Sequence, residues 1–261
     1  MLDLLRARMR QGLRTSSYPD GGADFPERFR GLPVLDPNPA ERPEEREMAS
    51  GTLVRRVEDG RPVLDAGSCL FSPEDAVDCG TAGAVVFTRD HRMATATRHD
   101  LVSATGEVEL ARALDARMLR LFGRSLRLRS VVTGSCGGCE AELNALSNVV
   151  FDMSRFGIQF VASPRHADGI VITGAFNRNM RVALEKTIEA TPAPKLIIAV
   201  GACAISGGPF RGSPEVSDAD AAGIHVDLYV PGCPPHPLTM LDGLLRLLDR
   251  LPPGAMAGSP T

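Results

Sequence analysis

Residues 125–252 predict an α/β architecture with a doubly wound parallel sheet, and three observations carry that expectation. Five short apolar runs recur: LRLRSVVTG, IQFVAS, DGIVITG, KLIIAVG and HVDLYVPG. Helical stretches lie near 139–156, 178–191 and 236–250, between or after them. The runs are almost continuously apolar, as in parallel strands covered by helices on both faces. Such an alternation is flavodoxin-like, and folds of that kind bind ligands at the carboxyl ends of their strands.

Along the chain, residues 1–50 read as an N-terminal amphipathic helix and an extended arm. Leu2, Leu5, Met9 and Leu13 fall at helical spacing, with Arg6, Arg8, Arg10 and Arg14 between them. A short basic amphipathic helix suits a membrane surface, a protein partner or its own domain. Residues 15–50 are rich in Pro, Gly and charge, the composition of an arm that gains order mainly from a partner. Residues 51–105 form a small region with two β-like stretches, GTLVRRV and GAVVFTRD. Residues 106–124 predict a connecting helix. Within the main domain, 205–222 is expected to be an irregular surface loop, and 253–261 is a C-terminal tail.

The chain has 261 residues, 43% hydrophobic and 23% charged, enough for one good core and a smaller attachment. A net charge of −3, no Trp and 5% aromatic residues argue against a nucleic-acid partner. No apolar run is long enough to span a bilayer, and the first residues lack the pattern of a secretory signal. The expected compartment is the reducing cytoplasm, where six cysteines point to metal or redox chemistry rather than disulfides.

Four of those cysteines carry the functional argument. Cys136 and Cys139 sit in GSCGGCEAE after the first strand, Cys203 follows KLIIAVGA, and Cys233 follows HVDLYVPG. Parallel strands place their carboxyl ends on one edge, so thiols scattered in sequence are expected to converge there. Neighbouring glycines allow tight turns against a bulky ligand. Cys139 begins a helix, whose dipole favours a thiolate. Four thiolates suit tetrahedral zinc or an iron–sulfur cluster. One CxxC pair and two single cysteines on a large α/β core favour the cluster over a zinc-stabilised, non-redox scaffold.

TGSCGGCEAE, RFGIQFVASPRHADGIVITGAFNRNM, AVGACAISGG and VPGCPPHP occur in that order. Together they resemble the small, cluster-bearing subunit shared by respiratory complex I and the membrane-bound, energy-converting nickel–iron hydrogenases of formate hydrogenlyase type. The resemblance implies one [4Fe-4S] cluster on a flavodoxin-like domain without flavin, with Cys136, Cys139, Cys203 and Cys233 as its ligands. It also implies electron relay to or from a docked large subunit, where catalysis proper resides. Ferredoxin-like and membrane subunits would complete such an oxidoreductase complex, with this chain peripheral to the cytoplasmic face of the membrane. Complex I members usually carry adjacent cysteines at the first motif, so Cys136-Gly137-Gly138-Cys139 resembles the hydrogenase branch. A quinone-side subunit of an NADH:quinone oxidoreductase-like complex is the alternative.

A fainter resemblance lies upstream. The bacterial ferredoxin run C-x2-C-x2-C-x3-C-P, laid on CLFSPEDAVDCG, puts its ligand positions at Cys69, Ser72, Asp75 and Cys79. Two ligands are missing, so residues 51–105 read as a degenerate ferredoxin-like α+β region, kept as a docking surface without a cluster. His166 is placed just past a strand end on the expected cluster edge, where a structural hydrogen bond is the commoner role for a loop histidine and tuning of the cluster the alternative. Arg165, Arg178 and Asn179 are further candidates, for tuning or for touching the large subunit, against an equal expectation of a solvated surface role. His236 is assigned no ligand role. Glu140 and Glu142 open the helix after Cys139, where acids stabilise a helix N-terminus. No Walker A or Rossmann fingerprint occurs.

Overall fold

A computed structural model describes residues 2–23, 25–38, 54–56, 62–75, 83–134, 136–217 and 222–251. Helix α1 (Leu2–Gln11) opens the chain and stops at Gly12, whose N–H reaches the Arg8 carbonyl. The described part of the arm then packs on the protein itself, which corrects the expectation that a partner orders it. Ser16 N–H donates to the Val150 carbonyl, and Arg155 donates to the carbonyls of Ser16 and Tyr18. Phe25 and Phe29 stack on each other and lie edge-on to His236. Aromatic anchors of this kind bury enough apolar surface to hold a Pro- and Gly-rich segment in place.

The arm contributes β1 (Pro33–Asp36), and the small region contributes β2 (Val54–Arg56), β3 (Pro62–Asp65), β4 (Ala84–Phe87) and β5 (Val102–Ser103). β1 pairs antiparallel with β4, and a second antiparallel sheet runs in the order β2-β3-β5. The connecting helix is shorter than expected: α2 spans only Ala116–Phe122. Asp115 caps it, accepting the N–H groups of Arg117 and Met118. The preceding backbone is committed elsewhere, with Ala111 N–H on the Ala94 carbonyl and Leu114 N–H on that of Leu247.

The main domain follows as β6 (Leu126–Val132), α3 (Gly138–Ala145), β7 (Ile158–Phe160), β8 (Gly169–Thr173), β9 (Phe176–Asn177) and α4 (Arg181–Ala190). It continues with β10 (Leu196–Val200), α5 (Ala202–Ser206), β11 (Val216–Ser217), β12 (Leu228–Val230) and α6 (Pro237–Leu247). Five strands form one parallel sheet in the order β12-β10-β8-β6-β7. Numbered by sequence within that sheet, the order is 5-4-3-1-2, the flavodoxin-like order. The α/β expectation therefore holds. The insertion is less irregular than expected, because α5 ends within it and β11 pairs antiparallel with β9.

Alternate strand residues supply two cores. Leu196, Ile198, Val200 and Val171 pack with Leu143 of α3 and Leu241 and Leu245 of α6. Ile170, Ile172, Ile197 and Ala199 pack with Leu184 of α4 and Ile205 of α5. Ala66 and Leu101 of the small region join this second core. Thr95 exchanges backbone hydrogen bonds of 3.0 and 2.9 Å with Tyr229, covering the β12 edge. α6 is buried throughout, including Asp242 and Arg246, which pair at 2.6 Å. Burying such a pair is costly unless its hydrogen bonds are complete. The arm helps to complete them: the Tyr18 hydroxyl donates to Asp242 at 2.7 Å.

Candidate metal centre

Strands β6, β8, β10 and β12 are neighbours, and thiols follow three of them. Cys136 lies in the turn after β6 and Cys139 in the first turn of α3, while Cys203 lies in α5 and Cys233 in the loop between β12 and α6. Cys136 is exposed, Cys139 is buried, and Cys203 and Cys233 are half-buried. Each of the four acts electrostatically on the other three. Burial, then Glu140 and the other three thiols, push the Cys139 pKa up to about 12. Burial, then Cys233, Cys136 and Glu140, push Cys203 up to about 11. Cys233 is raised by burial, Cys136 and Asp75. Burial thus outweighs any help that the first turn of α3 gives to a Cys139 thiolate. Four free thiolates here would repel one another out of water, and a cationic centre would reverse that balance.

The turns are shaped around sulfur. Gly201, at φ +90°, precedes α5, and a Cβ there would stand 2.5 Å from Cys139 Sγ. A Cβ at Gly138 would stand 3.5 Å from Cys136 Sγ and 3.6 Å from Pro234, so the CGGC turn lies against the Cys233 loop. Among the described residues, no three His, Cys, Asp or Glu side chains crowd closely enough to hold a single metal ion. Four thiols as a donor set suit either tetrahedral zinc or an iron–sulfur cluster.

The remaining candidates divide. His166 is exposed and lies away from this edge, which corrects its expected place. The reason is the shortness of β7: Phe160 pairs with Leu128, the residue that also pairs with Gly169 at the start of β8. The turn holding Arg165 and His166 therefore sits at the level where β8 begins, a strand's length from the thiols. Arg178 donates to the Pro214 carbonyl and stands 3.5 Å from Glu215, so it braces the insertion. The Asn179 N–H is bonded to the Asn177 side chain. Glu140 accepts the Thr173 hydroxyl, and its charge raises the Cys139 thiol. Burial raises the Glu142 carboxyl. His236 caps α6, with its Nδ1 accepting the Leu238 N–H at 3.1 Å, and burial pushes its pKa down to about 4.

Sequence reasoning missed where Cys69 and Asp75 stand. Cys69 is fully buried, and its thiol donates to Asp75 Oδ2 at 3.6 Å. The same oxygen accepts the N–H groups of Leu70 and Ser72 at 3.1 and 3.0 Å. Phe71 N–H donates to the Cys69 sulfur at 3.2 Å. Phe71, Cys233, Glu142, His236 and Thr239 line one cavity of about 230 Å³. A Cβ at Gly67 would press on Ile205 of α5, at 2.8 Å. This loop is thus a wall of the thiol site. No local spacing announces a contact between residues so far apart in the chain. Cys79 lies outside the described residues.

Residues 136–247 match the family described as NADH ubiquinone oxidoreductase, 20 Kd subunit. The probable membrane-bound hydrogenase subunit mbhJ of Pyrococcus furiosus is 39% identical over 136 residues, which are 52% of this chain and 81% of that protein. The chain belongs to the NADH ubiquinone oxidoreductase 20 Kd subunit family. The resemblance read from the four motifs is thereby borne out. An NADH-quinone oxidoreductase subunit of Heliobacterium modesticaldum is 45% identical over 121 residues, 46% of this chain and 69% of the relative. Formate hydrogenlyase subunit 7 of Escherichia coli is 40% identical over 139 residues, 53% of this chain and 54% of its own length. Among solved structures, the membrane-bound sulfane sulfur reductase, an archaeal respiratory membrane complex, has a chain 28% identical with a TM-score of 0.43, covering 53% of this chain and 76% of that one. In this member of the 20 Kd subunit family, Cys136, Cys139, Cys203 and Cys233 fall inside the matched stretch and Cys69 falls outside it.

Proposed function

We propose that the protein is the electron-transfer subunit of a membrane-associated hydrogenase or complex I-like oxidoreductase complex. In this proposal Cys136, Cys139, Cys203 and Cys233 hold one [4Fe-4S] cluster. The observation that carries it is the placement of four thiols, from three separate loops, where strands of one parallel sheet end. The relatives' names supply the setting: subunits of a membrane-bound hydrogenase, a formate hydrogenlyase and an NADH-quinone oxidoreductase.

When bound, the cluster supplies one-electron transfer. The chain's residues seal and orient the site. Cys139 is buried and Cys136 exposed, so the site is closed toward the core and open on the Cys136 side, the side for a large subunit. Gly201 leaves room for the Cys139 sulfur. Catalysis proper belongs to the large subunit, which also decides between nickel–iron and quinone chemistry. The two-glycine spacer between Cys136 and Cys139 favours the hydrogenase branch.

The test is iron and acid-labile sulfide analysis of the purified complex, with electron paramagnetic resonance of the reduced state. One [4Fe-4S] signal assigned to this subunit is expected, and Cys233→Ala abolishes it. An unchanged signal refutes the ligand assignment, and zinc without sulfide supports a non-redox scaffold instead.

A further inference from the structure

α1 gives the protein no buried residue. Leu2, Leu5 and Met9 share one stripe of it, at i, i+3 and i+7, and are 70%, 56% and 75% exposed. Leu13, just past the Gly12 turn, is 92% exposed. On the helical wheel Arg6 borders the stripe on one side and Arg8 on the other. Residues 2–14 hold four Arg against one Asp, a charge of +3 in a chain of net −3, which leaves −6 for the rest. The base of this segment is tied down where Ser16 bonds to Val150, beside the exposed side chains of Val149 and Val150. An isolated helix of this length is marginal in water, so α1 needs a surface to lie on.

The arrangement of charge identifies that surface. Guanidinium groups at the edges of an apolar stripe run their stems along it and reach outward to phosphate. The rest of the chain carries net negative charge, which an anionic sheet repels on balance, so the basic segment favours one orientation. We propose that α1 lies in the interface of an anionic lipid membrane with Leu2, Leu5 and Met9 turned toward the acyl chains. This proposal does not depend on the cysteine site.

The test is flotation of the full-length protein with phosphatidylglycerol/phosphatidylcholine vesicles and with phosphatidylcholine vesicles alone, at low and high salt. Binding to the anionic vesicles that weakens with salt is expected. Partitioning falls roughly fivefold for each of Arg6→Gln, Arg8→Gln and Arg10→Gln. The double variant Leu5→Asp/Met9→Asp stays in solution, while its far-ultraviolet circular dichroism shows the fold retained. No flotation, equal flotation of parent and double variant, or equal binding to both vesicle types overturns the proposal. So does α1 protected by another subunit of the purified complex in a protein that ignores vesicles. Flotation reads no cluster signal, so its failure leaves the electron-relay proposal standing, and the reverse holds too.

Discussion

The loop of Cys136 and Cys139 and the loop of Cys69 both belong to one site, yet they treat their sulfurs in opposite ways. At the strand ends burial and the charges of neighbouring thiols raise the cost of ionising the sulfurs. In the upstream loop the Cys69 thiol faces a carboxylate and a backbone N–H, and its hydrogen bonds are made within seven residues. A sulfur satisfied locally has no need of a metal. Sulfurs from separated loops that raise one another's cost of ionising are the ones an inorganic centre would suit in the proposed function. The lesson is that a cysteine's chemistry is read from what its sulfur faces, more than from the spacing of its neighbours.

The sharpest way to break this comparison is to remove one sulfur from each loop. Cys233→Ala is expected to lose the cluster outright, seen as loss of iron, acid-labile sulfide and the paramagnetic signal. Cys69→Ala is expected to keep all three, at a stability cost of about 1 kcal/mol for the lost bonds. Equal losses in both variants would mean that Cys69 belongs to the ligand set.

Chemical labelling grades the same contrast. After iron is removed under reducing conditions, Cys136 is expected to alkylate fastest, because it is exposed. Cys203 and Cys233 follow, and Cys139, buried and raised to about 12, is slower. Cys69 is expected to lag Cys136 by a factor on the order of a hundred or more, since thiolate fraction and access both oppose it. Peptide mass spectrometry over time gives the order, and early modification of Cys69 would undo the contrast.

Gly201→Ala probes the fit around one sulfur. Its φ of +90° strains any side chain, by roughly 1–2 kcal/mol, and the added Cβ would meet Cys139 Sγ. The expected result is a folded protein with reduced cluster occupancy. Gly137→Ala tests the opposite case, since a Cβ there meets nothing within 4 Å and the strain comes from its φ of +85° alone. Occupancy in that variant is expected to fall less.

Much of this was legible beforehand because it depends on strand polarity. Apolar runs such as KLIIAV need cover on both faces, and parallel strands must end on one edge, so the gathering of Cys136, Cys203 and Cys233 follows from chain order. What escaped depends on lengths and distant contacts. β7 is only three residues long, so the turn after it never reaches the thiol edge, and His166 is carried away from it. The arm's order rests on Tyr18 meeting Asp242 across 224 residues of sequence, a contact with no local signature. The wall formed by Cys69 and Asp75 escaped for the same reason.

That wall gives the subtlest test. Asp75 is 3% exposed and collects two backbone N–H groups and a thiol on one oxygen. Asp75→Ala strands those donors, at an expected cost of roughly 2–4 kcal/mol in denaturant unfolding. Asp75→Asn keeps an oxygen in place and should cost about 1 kcal/mol, the difference between a charged and a neutral acceptor. It also removes a negative charge that acts on Cys233. A negative charge near a cluster disfavours adding an electron, so the Asn variant is expected to show a higher midpoint potential in a redox titration. Paired with Cys69→Ala, which keeps that charge, the experiment separates electrostatics from packing. A raised potential in the Asn variant alone would show that the upstream loop tunes the site from a distance without binding its metal. Identical potentials in both variants would reduce the loop to a structural wall.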